Sequence, residues 1–152
     1  MSSTTGRVLI DTNVLAYRYD RRAPDKAAQA GRVLRALMAS GRGAISTQVA
    51  CELYQVLVHK MRDRVPREAA IEAVALHADA WPMLGVAPDI AKEAIVAAVR
   101  DGVGIWDAQL LATARWHGIA TVLSEDLDEE RDYLGVRVRN PFAPGFDLGE
   151  LE

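Results

Sequence analysis

The stretch Val8-Leu9-Ile10-Asp11-Thr12-Asn13 decides how this chain folds. Its apolar run is too short for a helix and suits a buried strand, so Arg7 to Asp11 is predicted as the first strand. Thr12 or Asn13 can cap a helical turn that runs to Tyr19. The acid at the end of the run is the informative residue. A carboxylate beside an apolar core costs several kcal/mol unless it is paired, hydrogen-bonded or bound to a cation. The same anomaly recurs in Val49-Ala50-Cys51-Glu52-Leu53, Ile105-Trp106-Asp107-Ala108 and Val122-Leu123-Ser124-Glu125-Asp126.

Outward from the first strand, helices and strands alternate. Pro24-Asp25 opens a helix whose Ala27, Ala30, Val33, Leu34 and Leu37 share a face, and Gly41 and Gly43 end it. Ala44-Ile45-Ser46 is the next strand, and Ser46 or Thr47 starts a helix carrying Val49, Leu53, Val56, Leu57 and Met61. Further helices are predicted over Arg67 to Ala80, from Pro88 to near Arg100, and over Ile105 to His117. Further strands are predicted at Met83 to Val86, Thr121 to Ser124 and Val136 to Arg139. This succession implies one α/β domain of three layers, α/β/α, around a mostly parallel sheet of four or five strands. The domain spans residues 1–152, with a core of about 7–142 and a loosely held tail over 143–152 that is rich in Gly and acids.

Composition sets further bounds. The chain has 152 residues, half of them apolar and 26% charged, an ordinary globular balance. No apolar run approaches the ~20 residues that span a bilayer, and the polar start, Met1 to Arg7, lacks a signal-peptide core. A cytoplasmic chain with no membrane partner is therefore expected. The lone Cys51 is expected to be a small buried hydrophobe. A net charge of −3 argues against broad, charge-driven nucleic-acid binding but leaves room for a local basic rim.

In a parallel sheet with crossover helices, ligands bind beyond the carboxyl ends of the strands. Asp11 and Asp126 follow such ends, Glu52 lies in the first turns after the Ile45 strand, and Asp107 opens a helix with Leu110, Leu111 and Ala114 on its apolar stripe. Carboxylates brought together repel unless one keeps a proton or a cation joins them. Oxygen donors suit Mg²⁺ or Mn²⁺, and such an ion can acidify a water and offset charge on a phosphate. Thr12, Asn13 and Ser124 can support the site with hydrogen bonds. The chemistry expected is phosphodiester hydrolysis by water, without a Ser, Cys or His nucleophile.

Asp-Thr-Asn-Val-Leu at 11–15, Glu52 within Val-Ala-Cys-Glu-Leu, Trp-Asp-Ala at 106–108, Leu-Ser-Glu-Asp-Leu at 123–127 and Val-Arg-Val-Arg-Asn-Pro-Phe at 136–142 together resemble the PIN-domain ribonucleases. Within them the chain looks similar to the VapC-type toxins of bacterial toxin–antitoxin modules, from about Arg7 to Phe142. The resemblance places Asp11, Glu52, Asp107 and Asp126 on the family's acidic quartet and Ser124 on its small hydroxyl position. It implies a Mg²⁺- or Mn²⁺-dependent endoribonuclease with an RNA substrate, a homodimer, and inhibition by a cognate antitoxin.

Each acid has a plainer role when taken alone. Asp11 and Asp107 can cap helices, Glu52 can be a solvated helix-edge acid, and Asp126 shares its loop with Asp128, Glu129, Glu130 and Asp132. Their joint order favours a site. Trp81, Trp106 and Trp116 are expected in the core or at an interface, and His59, His77 and His117 on the surface or partly buried. Arg137 and Arg139 are expected to guard an edge strand. An aspartyl-phosphate phosphatase would want a second Asp two residues after Asp11, where Asn13 stands. The alternatives kept open are a PIN-fold RNA-processing nuclease with no toxin role and a non-catalytic protein- or RNA-binding module.

Overall fold

Strand β1 (Val8–Ile10) lies in the middle of a six-stranded sheet of order β3-β2-β1-β4-β6-β5 in a computed structural model, which describes residues 6–152. Its neighbours β2 (Gly43–Ser46) and β4 (Thr121–Leu123) are parallel to it, as are β3 (Met83–Leu84) to β2 and β6 (Val136–Arg139) to β4. Only β5 (Asp132–Tyr133) runs antiparallel, against β6. Chain order leaves β1 in one direction through β2 and the other through β4, so β1 sits at the switch point where α/β sheets open a crevice. The polar start of the chain lies outside the described residues, except for Gly6 and Arg7.

The helices flank this sheet, and local chemistry sets their ends. Asp11 caps α1 (Thr12–Tyr17) and the Ser46 hydroxyl caps α3 (Thr47–Gln55) by accepting from Val49 N at 3.1 Å. Pro24 and Pro88 stand in the first turns of α2 (Pro24–Ser40) and α5 (Pro88–Asp101). Helix α4 covers Arg67–Ala80 and α6 covers Ile105–Trp116. Between α3 and α4 the helix widens into a π turn, Val56–Lys60, closed by Met61 N donating to Val56 O at 2.8 Å. The main core joins Leu9, Ile10, Leu15, Leu37, Leu53 and Leu123. A smaller cluster of Ile90, Ala94, Ala97, Ala108 and Ala112 holds α5 to α6.

The sheet has six strands where four or five were expected, because β5 is only two residues long. Leu134 and Gly135 join it to β6, both with positive φ (54° and 89°), the geometry of a tight hairpin turn that Leu rarely adopts. β6 is consequently not an edge strand, and Arg139 is tied to Glu129 and Glu150. The tail is not loose either: a 3-10 turn, Leu148–Leu151, buries Leu151 while Arg42 donates to the carbonyls of Glu150 and Glu152. Cys51 is exposed, since it faces away from the stripe that Val49 and Leu53 bury. No helix among the described residues is long and apolar enough to cross a membrane.

Trp81 is buried, but Trp116 and Trp106 stand largely exposed. His77 is buried at 2% exposure, stacked on Trp81 at 5.5 Å with its Nε2 3.1 Å from the Tyr19 hydroxyl. Among the described residues neither His77 Nδ1 nor Trp81 Nε1 has a hydrogen-bond partner. Val49, Leu53 and Leu57 belong to the core, whereas Ile71 and Leu76 of α4 and Ile95, Val96 and Val99 of α5 are exposed.

Two outcomes follow from the Trp81 region. A Cβ on Gly43 would fall 2.4 Å from Trp81 Nε1, so Gly43→Ala should lower stability in urea melts by roughly 1–3 kcal/mol. An unchanged midpoint would show that the indole can move aside. Burial lowers the His77 pKa from 6.5 to about 4. Its contribution is therefore fully present above pH 6.5 and lost as the pH falls through 4. His77→Phe should lose less stability than wild type across that interval, and equal losses would exclude His77 as the acid-sensitive group.

Candidate functional site

Three consecutive residues at the end of β1 organise the site: Asp11 supplies one carboxylate, and Thr12 and Asn13 hold two others. Asp11 N donates to Leu123 O at 2.9 Å, which continues the β1–β4 ladder to the sheet edge. The Asp11 side chain, 8% exposed, takes the Thr12 amide on Oδ1 at 2.7 Å. Its Oδ2 accepts from Ser124 Oγ at 2.7 Å and Asn13 Nδ2 at 3.2 Å. Thr12 Oγ1 donates to Glu52 Oε2 at 2.8 Å. Asn13 Nδ2 donates to Asp126 Oδ2 at 3.0 Å, and Asn13 Oδ1 accepts the Glu125 amide at 3.3 Å. Ser124 Oγ, besides donating to Asp11, accepts the Asp126 amide at 3.2 Å. Asp11 is thus a helix cap as well, and the two roles coincide.

Asp11, Glu52, Asp107 and Asp126 line one cleft of about 460 Å³, together with Thr12 and Asn13. All four acids proposed from the sequence and both of these supporting residues converge there, while Ser124 sits fully buried behind Asp11. Sequence reasoning missed Gln48. Its Nε2 donates to Glu52 Oε1 at 3.1 Å and to Trp106 O at 3.0 Å, and its Oε1 accepts from Gln109 Nε2 at 2.7 Å. The available signal was spacing, since Gln48 stands one helical turn before Glu52 on α3. Tyr17, Asp20, Lys60, Met61 and Arg62 were also missed as lining residues. The last three follow from the π turn, which no propensity forecasts.

Electrostatics mark the acids as crowded. The Asp11 carboxyl is pushed up to about 6, chiefly by burial and secondarily by Asp107 and Glu52. The Ser124 hydroxyl and Thr12 amide oppose that rise by favouring the charged form. Asp107 is also raised, by burial first and then by Asp126 and Glu52. Among the described residues no three acids, histidines or cysteines stand close enough together to grip one metal ion. Mg²⁺ does not require such a cage, because it keeps several waters and takes one or two carboxylates. An all-oxygen donor set around a cleft, with one carboxyl destabilised as an anion, fits such a hydrated cation.

A family model for the PIN domain matches residues 8–131, and the chain belongs to that family. Its fold is similar to that of VapC20, the sarcin-ricin loop cleaving toxin of Mycobacterium tuberculosis, at 22% identity and a TM-score of 0.61 over 86% of this chain and 98% of that one. It is also similar to a toxin–antitoxin complex from Klebsiella pneumoniae (21% identity, TM-score 0.59, 89% and 98% covered). A third likeness is to VapBC2 from Rickettsia felis bound to a promoter DNA fragment (16%, 0.61, 88% and 97%). No curated protein sequence matches the chain.

The raised pKa of Asp11 gives a sign-defined expectation. Its folded value, about 6, lies above the unfolded 3.8, so its stabilising effect is fully present below pH 3.8 and lost as pH rises through 6. In metal-free buffer above pH 6, Asp11→Asn should therefore be more stable than wild type by on the order of 2–3 kcal/mol. That advantage should vanish near pH 4. A variant less stable at pH 7.5 by calorimetry would show that Asp11 is not held against its charge.

Proposed function

We propose that this chain is a Mg²⁺- or Mn²⁺-dependent endoribonuclease that hydrolyses RNA phosphodiester bonds, and that it is the toxin of a toxin–antitoxin pair. One observation carries the proposal: four acids from four separate elements open on one cleft, around an Asp11 carboxyl that burial drives toward its protonated form. Membership of the PIN-domain family and a fold like that of VapC20 support it.

The residues assigned to the hydrated cation are Asp11, Glu52, Asp107 and Asp126, one or two of them directly and the others through its waters. When bound, the cation acidifies and orients a water and offsets charge on the scissile phosphate and the leaving oxygen. The chain's own groups prepare for that charge. Ser124 and the Thr12 amide hold both oxygens of Asp11, so the carboxyl releases its proton into a fixed geometry. Thr12 and Gln48 fix the two oxygens of Glu52, and Asn13 fixes Asp126. These neutral donors orient the acids without neutralising them, leaving their charge for the cation.

The partners proposed are RNA, a cognate antitoxin protein and a second copy of the chain, all in the cytoplasm. The complexes from Klebsiella pneumoniae and Rickettsia felis support the antitoxin. A basic side chain placed among the acids would block the cleft directly. The exposed apolar residues of α4 and α5 offer area for a homodimer.

Asp11→Asn, Glu52→Gln, Asp107→Asn and Asp126→Asn should each abolish cleavage of a sensitive RNA while leaving the melt cooperative. A loss on the order of 10²-fold or more is expected for Asp11→Asn. Excess EDTA should mimic them, and Mg²⁺ or Mn²⁺ should restore the wild type alone. Full activity in EDTA, or in folded Asp11→Asn, refutes the metal-nuclease function. Growth arrest on expression, relieved by the product of an adjacent small reading frame, separates a toxin from a housekeeping nuclease.

A further inference from the structure

The acidic cleft is the middle of three. On one side it shares Asp20 with a groove of about 890 Å³ lined by Arg18, Arg21 and Arg64. On the other it shares Gln48, Glu52, Lys60 and Trp106 with a second cleft of about 490 Å³ that adds Thr47, Cys51, Val86 and Gln109. The chemistry changes along this line from guanidinium groups, through carboxylates, to an aromatic ring with amides.

Cations are distributed unevenly along it. Lys26, Lys92, Arg100, Arg115, Arg131 and Arg139 are engaged in ion pairs. None of Arg18, Arg21, Lys60, Arg62 and Arg64, which line the clefts, is in an ion pair among the described residues, and all five are exposed. Asp20 and Asp63 share the arginine groove without pairing to them. Exposed arginines left unpaired in a chain of net charge −3 form a local reserve of phosphate ligands.

At the other end, Trp106 is 62% exposed although it opens a helix whose next turns lie in the core. The Gln109–Gln48 amide chain holds its backbone through Trp106 O. Gln109 Oε1 accepts no hydrogen bond among the described residues. An indole face on a fixed backbone, beside a free amide oxygen and the unpaired Lys60, has the parts of a nucleobase platform: stacking, an edge contact and a phosphate contact.

We propose that a single strand of RNA crosses all three clefts, with phosphates on Arg18, Arg21 and Arg64 and one unpaired base stacked on Trp106 in the second cleft. This rests on the nuclease function proposed above and adds the path and the aromatic subsite. It also explains how a chain of net negative charge can hold a polyanion: attraction is confined to one groove, and stacking, which charge does not oppose, supplies the rest.

The test is binding rather than cleavage, so it is independent of catalysis. Trp116→Phe removes the other exposed indole, and fluorescence of this protein is followed in EDTA as short homopolymeric RNA is added. Saturable quenching by single strands, and little by duplex, is expected. Measured by retention of end-labelled RNA on a filter, a readout that does not need the indole, Trp106→Ala should weaken binding roughly five- to a hundredfold, and Trp106→Phe should restore most of it. Arg21→Gln combined with Arg64→Gln should leave the quenching amplitude intact. It should flatten the dependence of log affinity on log salt by about 1.4, the loss of two single-strand phosphate contacts. Absent quenching, equal quenching by duplex, or an unmoved salt slope overturns the path. So does a Trp106 signal that changes with protein concentration alone, which marks a self-association face. If the path fails while Mg²⁺-dependent cleavage persists, the nuclease function stands; if binding behaves as expected and no RNA is cut, that function fails by itself.

Discussion

Everything around the cleft depends on a carboxylate held where water is scarce. Asp11 ends the central strand of a parallel sheet, and neighbouring strands on both sides limit its solvent. An ionised group there is tolerable only with donors on both oxygens, and the chain supplies a hydroxyl, a backbone amide and a side-chain amide. None of the three carries charge. The residual cost of the anion appears as a pKa near 6 rather than as a salt bridge. Had the fold placed a lysine beside Asp11, the same burial would have been satisfied and the affinity for an external cation lost.

The side chains that relieve Asp11 also bind the site together. Thr12 and Asn13 follow Asp11 along the backbone and hold its carboxylate, yet they also reach Glu52 and Asp126 on two other elements. Positional error between Glu52 and Asp126 is therefore limited by one turn of helix rather than by the packing of distant loops. Asp107 is the exception: its place is fixed by α6, whose Leu110 and Leu111 are anchored in the core.

Much of this was legible in the sequence. Four apolar runs interrupted by acids marked the ends of β1 and β4, the starts of α3 and α6 and all four carboxylates of the cleft, and the alternation of strands and helices implied the parallel sheet, because periodicity and the cost of buried charge are local properties. What escaped had no local signature. The β5–β6 hairpin turns on Leu134, a residue poorly suited to positive φ. The π turn that brings Lys60, Met61 and Arg62 to the cleft reads as ordinary helix. Gln48 is an unremarkable polar residue until Trp106 and Gln109 are seen beside it. Exposure was the least legible property: Cys51 is exposed where burial was expected, and His77 is buried where a surface or partly buried place was expected, since one helical face can be buried while its neighbour is not.

The alanine-rich seam between α5 and α6 gives the molecule two tiers of cohesion. Ile90 is the only large side chain fully buried in that cluster, and the other members contribute a methyl group each. Small side chains let α5 and α6 pack closely, yet α5 is held chiefly to α6, by this cluster and the Arg115–Glu93 ion pair, rather than by the main core. Helix α6, by contrast, is rooted in the main core through Leu110, Leu111 and Ala114. Loosening of α5 should therefore be a subglobal event, with its amides exchanging well before those of β1 or α6. The carboxylates and Trp106 lie on the inner side of that divide. The outer helix can come and go as a shell while the cleft stays assembled.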